Sequence, residues 1–179
     1  MAFTGPLAMH YYPVDLKSEL QLDCFADISF APQGEKSHQG LLVKWGPNVL
    51  SWKSGRQPLV TLSTTEAELV GSVDAAESAK AAHLILHEML GSSSKTRRMK
   101  ATVWCDNQSA LAQMMKSSAS SIRTRHLSIR SHRLSDDINN GVLALAYVDT
   151  ESQCADCLTK AYPKPLMQRA FDHLALSPL

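Results

Sequence analysis

Four acidic residues in this 179-residue chain stand where local structure alone would favour another residue type. Asp27 falls inside an alternating, strand-like segment, where aspartate is uncommon. Asp106 directly follows an apolar, strand-like run, although it is also a good N-cap for the helix-like segment after it. Glu68 lies in the first turns of a predicted helix, where an acid also complements the helix dipole. Asp156 is flanked by apolar neighbours and is the hardest of the four to explain as a surface residue.

Convergence of these four carboxylates would require a cation. Each like-charged pair about 4 Å apart repels by roughly 1 to 4 kcal/mol at water-like to surface-like dielectric. Mg²⁺ removes this penalty, because it prefers a few carboxylates together with waters and phosphate oxygens. Two such ions about 4 Å apart can activate a water and stabilise the leaving oxygen of a phosphodiester. The pattern therefore predicts a nuclease or phosphoryl-transfer site whose catalytic residues and Mg²⁺ ligands are Asp27, Glu68, Asp106 and Asp156, with Mn²⁺ able to substitute.

The predicted elements place two of these acids at strand ends. The segment 20–30 alternates as a strand, with Asp27 on its more polar side, and short turns lead into two more strands of an antiparallel meander. The order β-β-β-α-β-α-α-β-α predicts an α/β fold: a mixed five-stranded sheet, the meander plus parallel strands, with helices on both faces. If the fourth strand pairs with the first, Asp27 and Asp106 meet at a strand-end crevice.

The predicted helices position the other two acids. Ser63 and Glu66 have the spacing of a capping box at the start of a long helix that carries Glu68. A short helix follows Asp106, another runs from about 124 to 139, and Asp156 falls on a predicted C-terminal helix. The three tryptophans of the chain lie in strand context and are expected in the core.

Size and composition indicate one globular domain. Residues 1–20 are weakly patterned and are interpreted as a linker or the remnant of a preceding region, with the domain at 21–179. The net charge is +1, so nucleic-acid affinity must come from local basic patches. No apolar run reaches the length of a membrane span, and the N-terminal residues do not resemble a signal peptide. Four scattered cysteines predict reduced thiols in an intracellular, non-secreted protein.

Five segments carry a resemblance to a known family. They read, in chain order, FADISFA, SWKSGRQPLVTLSTTEAELVG, VWCDNQSAL, RTRHLSIRSHRL and YVDTESQCADCLTKA. Together they resemble the motifs of the ribonuclease H domain of copia-type LTR retrotransposons, over residues 22–174. The family's four acids fall on Asp27, Glu68, Asp106 and Asp156; Glu68 is chosen because the ELVG block follows it, which leaves Glu66 as a capping residue.

The resemblance implies a ribonuclease H fold and hydrolysis of the RNA strand of an RNA–DNA hybrid by a two-metal mechanism. It also implies that the reverse-transcriptase domain of the same polyprotein is a partner, and that residues 1–20 come from a connection or polymerase region. The compartment would be the cytoplasm, in a virus-like particle, or the nucleus. Two departures stand out. The family's usual Asp-Ala-Asp-Trp-Ala is Asp27-Ile-Ser-Phe-Ala here. The loop before Asp156 lacks the histidine of cellular ribonucleases H, which the copia-type branch also tends to lack.

Several polar and basic residues are candidates for contact with the hybrid. The hydroxyls at the start of the long helix suit DNA phosphates, and Asn107 and the backbone around Ser29 suit RNA 2′-hydroxyl groups. Arginines and a histidine share one sector of the predicted helix 124–139, where a plain solvated basic face is the alternative. The basic loop Lys95 to Lys100 is a candidate contact for nucleic acid or a neighbouring reverse-transcriptase domain, with a plain solvated loop as the alternative. The predicted nucleic-acid-binding residues are Ser29, Ser63, Thr64, Thr65, Asn107, Arg123, Arg125, His126 and Arg130.

Three other interpretations predict different sequence features. A non-catalytic hybrid-binding or connection-type module of the same fold predicts lost carboxylates, and all four are present. A DNA-acting nuclease of the same superfamily, such as an integrase or transposase, usually ends its acidic triad in a glutamate. A purely structural interpretation treats every acid as a cap or a surface residue, which the joint occurrence of the motifs disfavours.

Overall fold

The computed structural model describes residues 6–14, 21–32, 34–91, 100–116 and 125–178. Its strands and helices are β1 Leu7–Met9, β2 Gln21–Ser29, β3 His38–Trp45, β4 Asn48–Arg56, α1 Thr64–Leu90, β5 Lys100–Cys105, α2 Gln108–Lys116, α3 Arg125–Asn139, β6 Leu143–Tyr147, α4 Met167–His173 and β7 Leu176–Pro178. Three one-turn 3-10 helices, Thr150–Ser152, Asp156–Leu158 and Lys164–Leu166, lie between β6 and α4.

The main sheet has five strands in the order β4-β3-β2-β5-β6. The β2–β3 and β3–β4 pairs are antiparallel, whereas β2–β5 and β5–β6 are parallel. These pairings confirm the predicted mixed sheet. They also confirm that the predicted fourth strand, here β5, pairs with the predicted first strand, here β2. The parallel register joins Phe25 to Trp104, so Asp27 and Asp106 each lie two residues beyond that pair. Both acids therefore sit at the carboxyl ends of neighbouring strands.

One face of the sheet packs against α1. The buried side chains of β2 on this face, Leu22, Cys24 and Ala26, belong to the same cluster as Val70 of α1 and Val103 of β5. The helix approaches the sheet very closely at Gly71. A Cβ atom there would lie 2.2 Å from Cδ1 of Ile28, far inside van der Waals contact. A glycine at this position therefore lets α1 bring its first turns against the end of β2.

The opposite face is covered by the C-terminal segment. Leu42, Val49, Cys154 and Ala155 form a second, smaller buried cluster there. The close contact on this face falls at Gly40, whose added Cβ would lie 2.8 Å from the carbonyl oxygen of Ala155. Burial on both faces explains why Asp27 is enclosed although it lies on the side of β2 that the sequence pattern marks as more polar.

The prediction of a continuous C-terminal helix around Asp156 was wrong. This segment forms isolated 3-10 turns, with Asp156 at the start of one of them, and α4 begins only at Met167. Contacts with the sheet replace intrahelical bonds here. The buried Gln153 side chain donates to the carbonyl oxygen of Ala26 at 3.1 Å, and the backbone N–H of Ala155 donates back to the Gln153 amide oxygen at 3.3 Å.

Two peripheral features complete the fold. β1 pairs antiparallel with β7, which ties residues 7–9 to the end of the described chain, while a domain boundary near residue 20 stays a prediction. The prediction that all tryptophans are core residues was wrong for Trp52, which is 56% exposed on the edge strand β4. Within the described ranges, no helix combines the length and apolarity needed to cross a bilayer.

Candidate active site

Asp27 is a buried carboxylate at the end of β2. It is only 3% exposed, and it accepts a hydrogen bond from the Thr159 hydroxyl. Burial raises the pKa of Asp27 above its ordinary value, although the Thr159 hydrogen bond and the nearby Lys160 ammonium oppose the change. The neighbouring Asp106 and Asp156 raise this pKa further. An acid held in this way is costly to keep ionised without a cation, which is typical of functional sites.

Glu68 faces Asp27 and Asp106 from the second turn of α1. It is 5% exposed, and Oε2 accepts a weak hydrogen bond from the Cys105 thiol at 3.7 Å. Burial raises the pKa of Glu68 to about 8, and the charges of Asp106 and Asp27 contribute to the rise. Desolvation is the largest cause, so the low dielectric of the helix–sheet interface decides the protonation of this group.

Glu66 has the capping role predicted for it. The Ser63 hydroxyl accepts a hydrogen bond from the backbone N–H of Glu66 at 3.2 Å, which makes Ser63 the N-cap of α1. The Glu66 carboxylate in turn accepts from the backbone N–H of Leu62 at 2.7 Å. The two glutamates of the TEAE stretch thus serve different purposes, because Glu66 closes the helix end and Glu68 points into the site.

Asp106 is not the N-cap of the helix that follows it. The cap is Asn107, whose Oδ1 accepts a hydrogen bond from the backbone N–H of Ala110 at 3.0 Å. The Asp106 carboxylate therefore remains available at the strand end. Burial raises the pKa of Asp106, while the Lys160 ammonium and a hydrogen bond from Thr150 act in the opposite direction.

Asp156 joins the cluster from the C-terminal segment. It is 8% exposed and accepts a hydrogen bond from the Tyr162 hydroxyl at 2.9 Å. Its Oδ1 also contacts the ammonium group of Lys160, whose nitrogen lies 3.9 Å from Oδ1 of Asp27. The structure thus brings together all four acids that the sequence singles out.

The cluster opens onto a cleft of about 460 Å³. Three of the acids line it directly, and its other lining residues are Ile28, Phe30, Thr64, Asn107, Gln108, Ser109, Tyr147 and Lys160. Donor atoms of Glu68, Cys105 and Asp106 lie within 4.8 Å of one another. The carboxylate oxygens around the cleft suit Mg²⁺ or Mn²⁺ as ligands, and burial raises the pKa of Asp27 and Glu68, so an added positive charge would favour their ionised forms. The residues therefore fit a hard divalent cation.

Some of the predicted nucleic-acid contacts line the cleft and others do not. Thr64 and Asn107 line the cleft. Ser29 is exposed at the end of β2, the Ser63 hydroxyl is engaged in the helix cap, and Thr65 is half-buried. These three are not among the described residues that line the cleft.

The basic sector of α3 is only partly described. Arg123 and residues 95–99 of the basic loop lie outside the described residues, as do the side chains of Arg125 and His126. Arg130 is described, and its Nη1 lies 3.0 Å from Oδ1 of Asp74 on α1. Its role in binding nucleic acid stays a prediction.

Sequence reasoning missed the residues that hold the carboxylates in place. Thr159 donates to Asp27, Tyr162 donates to Asp156, and Lys160 contacts both acids. One signal was present for Lys160, because it follows Asp156 at the i, i+4 spacing that joins an acid to a base over one helical turn. Nothing in the sequence pattern connected Thr159 with the distant β2.

No known protein-family profile matches the chain. The chain is 32% identical over 139 residues to the retrovirus-related Pol polyprotein from transposon TNT 1-94 of Nicotiana tabacum, covering 78% of this chain and 10% of the relative. It is 29% identical over 160 residues to the corresponding polyprotein from transposon RE1 of Arabidopsis thaliana, covering 87% of this chain and 10% of the relative. The chain therefore spans about a tenth of the length of these relatives.

A solved structure shares the fold. The N-terminal RNase H domain of a Mycobacterium tuberculosis protein, solved as a fusion with maltose-binding protein, matches with a TM-score of 0.53 at 15% identity. The match covers 88% of this chain and 97% of that chain. Sequence relatives and fold agree: this chain belongs to the retrovirus-related Pol polyproteins of transposons, and its fold is that of a ribonuclease H domain.

Proposed function

We propose that this domain hydrolyses the RNA strand of RNA–DNA hybrids during reverse transcription by a retrotransposon polyprotein. The observation that carries the proposal is the convergence of four carboxylates from separate elements on one open cleft, with Asp27, Glu68 and Asp106 lining it and Asp156 beside them. Ionisation of this cluster is unfavourable, because burial and mutual repulsion raise the pKa of Asp27, Glu68 and Asp106. Divalent cations would offset that cost.

Each acid has a part in this reaction. Asp27, Glu68, Asp106 and Asp156 would hold one or two Mg²⁺ ions, which when bound supply an activated water and stabilise the leaving oxygen. The Thr159 hydroxyl orients the Asp27 carboxylate, and the Cys105 thiol orients that of Glu68. With a pKa of about 8, Glu68 carries a proton at neutral pH in the metal-free protein, and a bound cation would favour the loss of that proton.

The walls of the cleft suit a nucleic-acid strand. Thr64 begins α1, and Gln108 and Ser109 begin α2, so two helix N-termini with hydroxyl and amide groups border the carboxylates. Helix N-termini favour phosphate oxygens. Asn107 uses Oδ1 to cap α2, which leaves its amide nitrogen as a donor toward a 2′-hydroxyl group, the feature that distinguishes RNA from DNA.

The reverse-transcriptase domain of the same polyprotein is the proposed partner. A net charge of +1 gives the domain little general attraction for nucleic acid, and affinity for a hybrid depends strongly on phosphate neutralisation. The match covers only about a tenth of each relative, which leaves room for a neighbouring domain that makes most of the contacts with the hybrid.

A cleavage assay with three duplexes tests the proposal. The domain is incubated with labelled RNA–DNA hybrid, duplex DNA and duplex RNA, each with Mg²⁺, with Mn²⁺ and with chelator. We expect cleavage of the RNA strand of the hybrid alone, dependent on the cation. Asp106→Asn should abolish it, whereas Asp136→Asn, a matched change of an exposed acid on α3, should leave the rate unchanged.

Two results would contradict the proposal. Binding of the hybrid without cleavage, tested with the reverse-transcriptase domain present, would indicate a non-catalytic hybrid-binding module. Cleavage of duplex DNA in preference to the hybrid would indicate a DNA-acting nuclease of the same fold.

A further inference from the structure

A lysine side chain lies among the four carboxylates. The ammonium nitrogen of Lys160 contacts Oδ1 of Asp156 and lies 3.9 Å from Oδ1 of Asp27. Its charge also acts on Asp106 and Glu68, because in each case it opposes the rise in the pKa of the acid. Lys160 thus faces the same oxygen atoms that a divalent cation would bind.

The backbone of Lys160 is fixed while its side chain is not enclosed. The backbone N–H groups of Thr159 and Lys160 donate to the carbonyl oxygen of Asp156 at 3.2 Å and 3.1 Å. The Thr159 side chain is bonded to Asp27, which holds this turn against the end of β2. The Lys160 side chain is 50% exposed and lines the open cleft, so its four-carbon stem can leave the carboxylates without any change in the backbone.

We propose that Lys160 is a built-in counter-ion, which partly neutralises the carboxylates of the metal-free domain and must leave them when a divalent cation binds. This inference rests on the proposed function, because it assumes that the carboxylates bind a cation. The oxygens of Asp27 and Asp156 cannot face both an ammonium group and a metal ion at close range, since the two positive charges repel each other. The two cations therefore compete for one set of oxygens.

Competition gives Lys160 two effects of opposite sign. It stabilises the metal-free fold, because it offsets repulsion among buried acids. It also weakens metal binding, because each binding event must displace it. A residue with a merely structural role would show the first effect, but its loss would not tighten metal binding.

Manganese binding to the metal-free domain tests the inference. Free Mn²⁺ is measured by electron paramagnetic resonance during titration of the wild type, Lys160→Met, Lys160→Arg and Lys164→Met. Lys164 is an exposed lysine four residues further along the chain and serves as the matched control. We expect Lys160→Met to bind Mn²⁺ about tenfold more tightly than the wild type, as expected for the loss of one nearby positive charge. Lys160→Arg should stay near the wild type, and Lys164→Met should not differ from it.

The melting temperature in chelator gives the second readout. Lys160→Met should unfold at a lower temperature than the wild type, whereas Lys164→Met should unfold at the same temperature. If the wild type binds Mn²⁺ and Lys160→Met binds it equally or more weakly, the counter-ion inference alone is overturned. No Mn²⁺ binding by any of the variants would contradict the proposed function as well as the inference, so the two failures are distinguishable.

Discussion

The acidic cleft and the charged face of α3 both stand out in the sequence as sets of charged residues. In the folded protein, their charges have opposite surroundings. In the cleft, Asp27, Glu68 and Asp106 lie together, and burial raises the pKa of each. On α3, by contrast, Arg130 lies 3.0 Å from Asp74 of α1, and the arginine and its partner are both part-buried. One region concentrates like charges, and the other pairs opposite ones.

The difference separates a site from a structural contact. Ion pairs recur between α1 and α3: Arg133 bonds Glu77, and Lys80 bonds Asp137. These ion pairs hold one helix against the other, and their opposite charges compensate each other without an added ion. The cleft carboxylates have Lys160 beside them, yet burial still raises the pKa of Asp27, Glu68 and Asp106. A cluster that is costly to the fold by itself is the better candidate for function.

Removal of a cleft acid should have the largest effect on activity. We expect Asp27→Asn to reduce hybrid cleavage at least about 100-fold, because it removes the charge of a buried carboxylate from the proposed cation site. Asp23→Asn is the matched control on the same face of β2. Its Oδ1 accepts a hydrogen bond from the Trp104 indole N–H at 2.9 Å, which an asparagine oxygen can also accept.

The measurement is the initial rate of RNA-strand cleavage at saturating Mg²⁺. Near-wild-type activity in Asp27→Asn, or an equal loss in Asp23→Asn, would remove the distinction between the cleft and the rest of the strand.

The stability of the metal-free domain should fall as the pH rises. The pKa of Glu68 is raised from its ordinary 4.5 to about 8 in the folded protein, so the stabilisation is complete below pH 4.5 and is lost as the pH rises toward 8. The raised pKa values of Asp27 and Asp106 act in the same direction. We expect the melting temperature in chelator to fall by about 5 °C or more between pH 5 and pH 8.5.

Two companion measurements sharpen this expectation. Glu68→Gln should flatten the pH profile, while the matched exposed change Glu88→Gln should leave it as in the wild type. Addition of Mn²⁺ at pH 8.5 should restore the melting temperature of the wild type. A metal-free wild type that is more stable at pH 8.5 than at pH 5 would contradict the electrostatic account of the cleft.

Arg130 should matter more for stability than for cleavage. Its partner Asp74 also accepts a hydrogen bond from the buried Gln39 amide at 3.0 Å, so Arg130→Met leaves a part-buried carboxylate with one partner fewer. We expect a loss of about 1 kcal/mol in the free energy of unfolding by urea titration. Hybrid affinity measured over a range of salt concentrations separates the roles, because loss of a phosphate contact would lower the salt dependence. A large loss of affinity with unchanged stability would make Arg130 a nucleic-acid contact.

Arg133 should have the smallest effect. It pairs with Glu77 at 2.9 Å on the exposed side of the two helices, where solvent screens the attraction. We expect Arg133→Met to change the free energy of unfolding by less than about 0.5 kcal/mol. A loss as large as that of Arg130→Met would show that the α1–α3 pairs act as one network rather than separately.

The strand-end acids could be predicted from the sequence because the signals are local. Alternation identifies β2, an apolar run identifies β5, and the element order brings their carboxyl ends together. The choice between site and cap at Asp106 could not be made in the same way. Aspartate and asparagine both cap helices well, and only the hydrogen bond from the Ala110 N–H to Asn107 identifies the residue that does so.

The C-terminal segment shows where local signals fail. Its composition favours a helix, but Gly40 admits the carbonyl of Ala155 and Gln153 bonds to the backbone of β2, so tertiary contacts decide the backbone. Thr159 and Lys160 reach Asp27 only as a consequence of that packing, across more than 130 residues of sequence. Residues that support a site through such distant contacts leave no periodic pattern to detect.

The most direct measurement of the central claim is the location of Mn²⁺ by anomalous diffraction from crystals of the domain. We predict an anomalous peak among the carboxylates of Asp27, Glu68, Asp106 and Asp156, lost in crystals of Asp106→Asn and Glu68→Gln. Absence of a peak at these residues in crystals that bind Mn²⁺ elsewhere would contradict the claim that the four acids form a cation site.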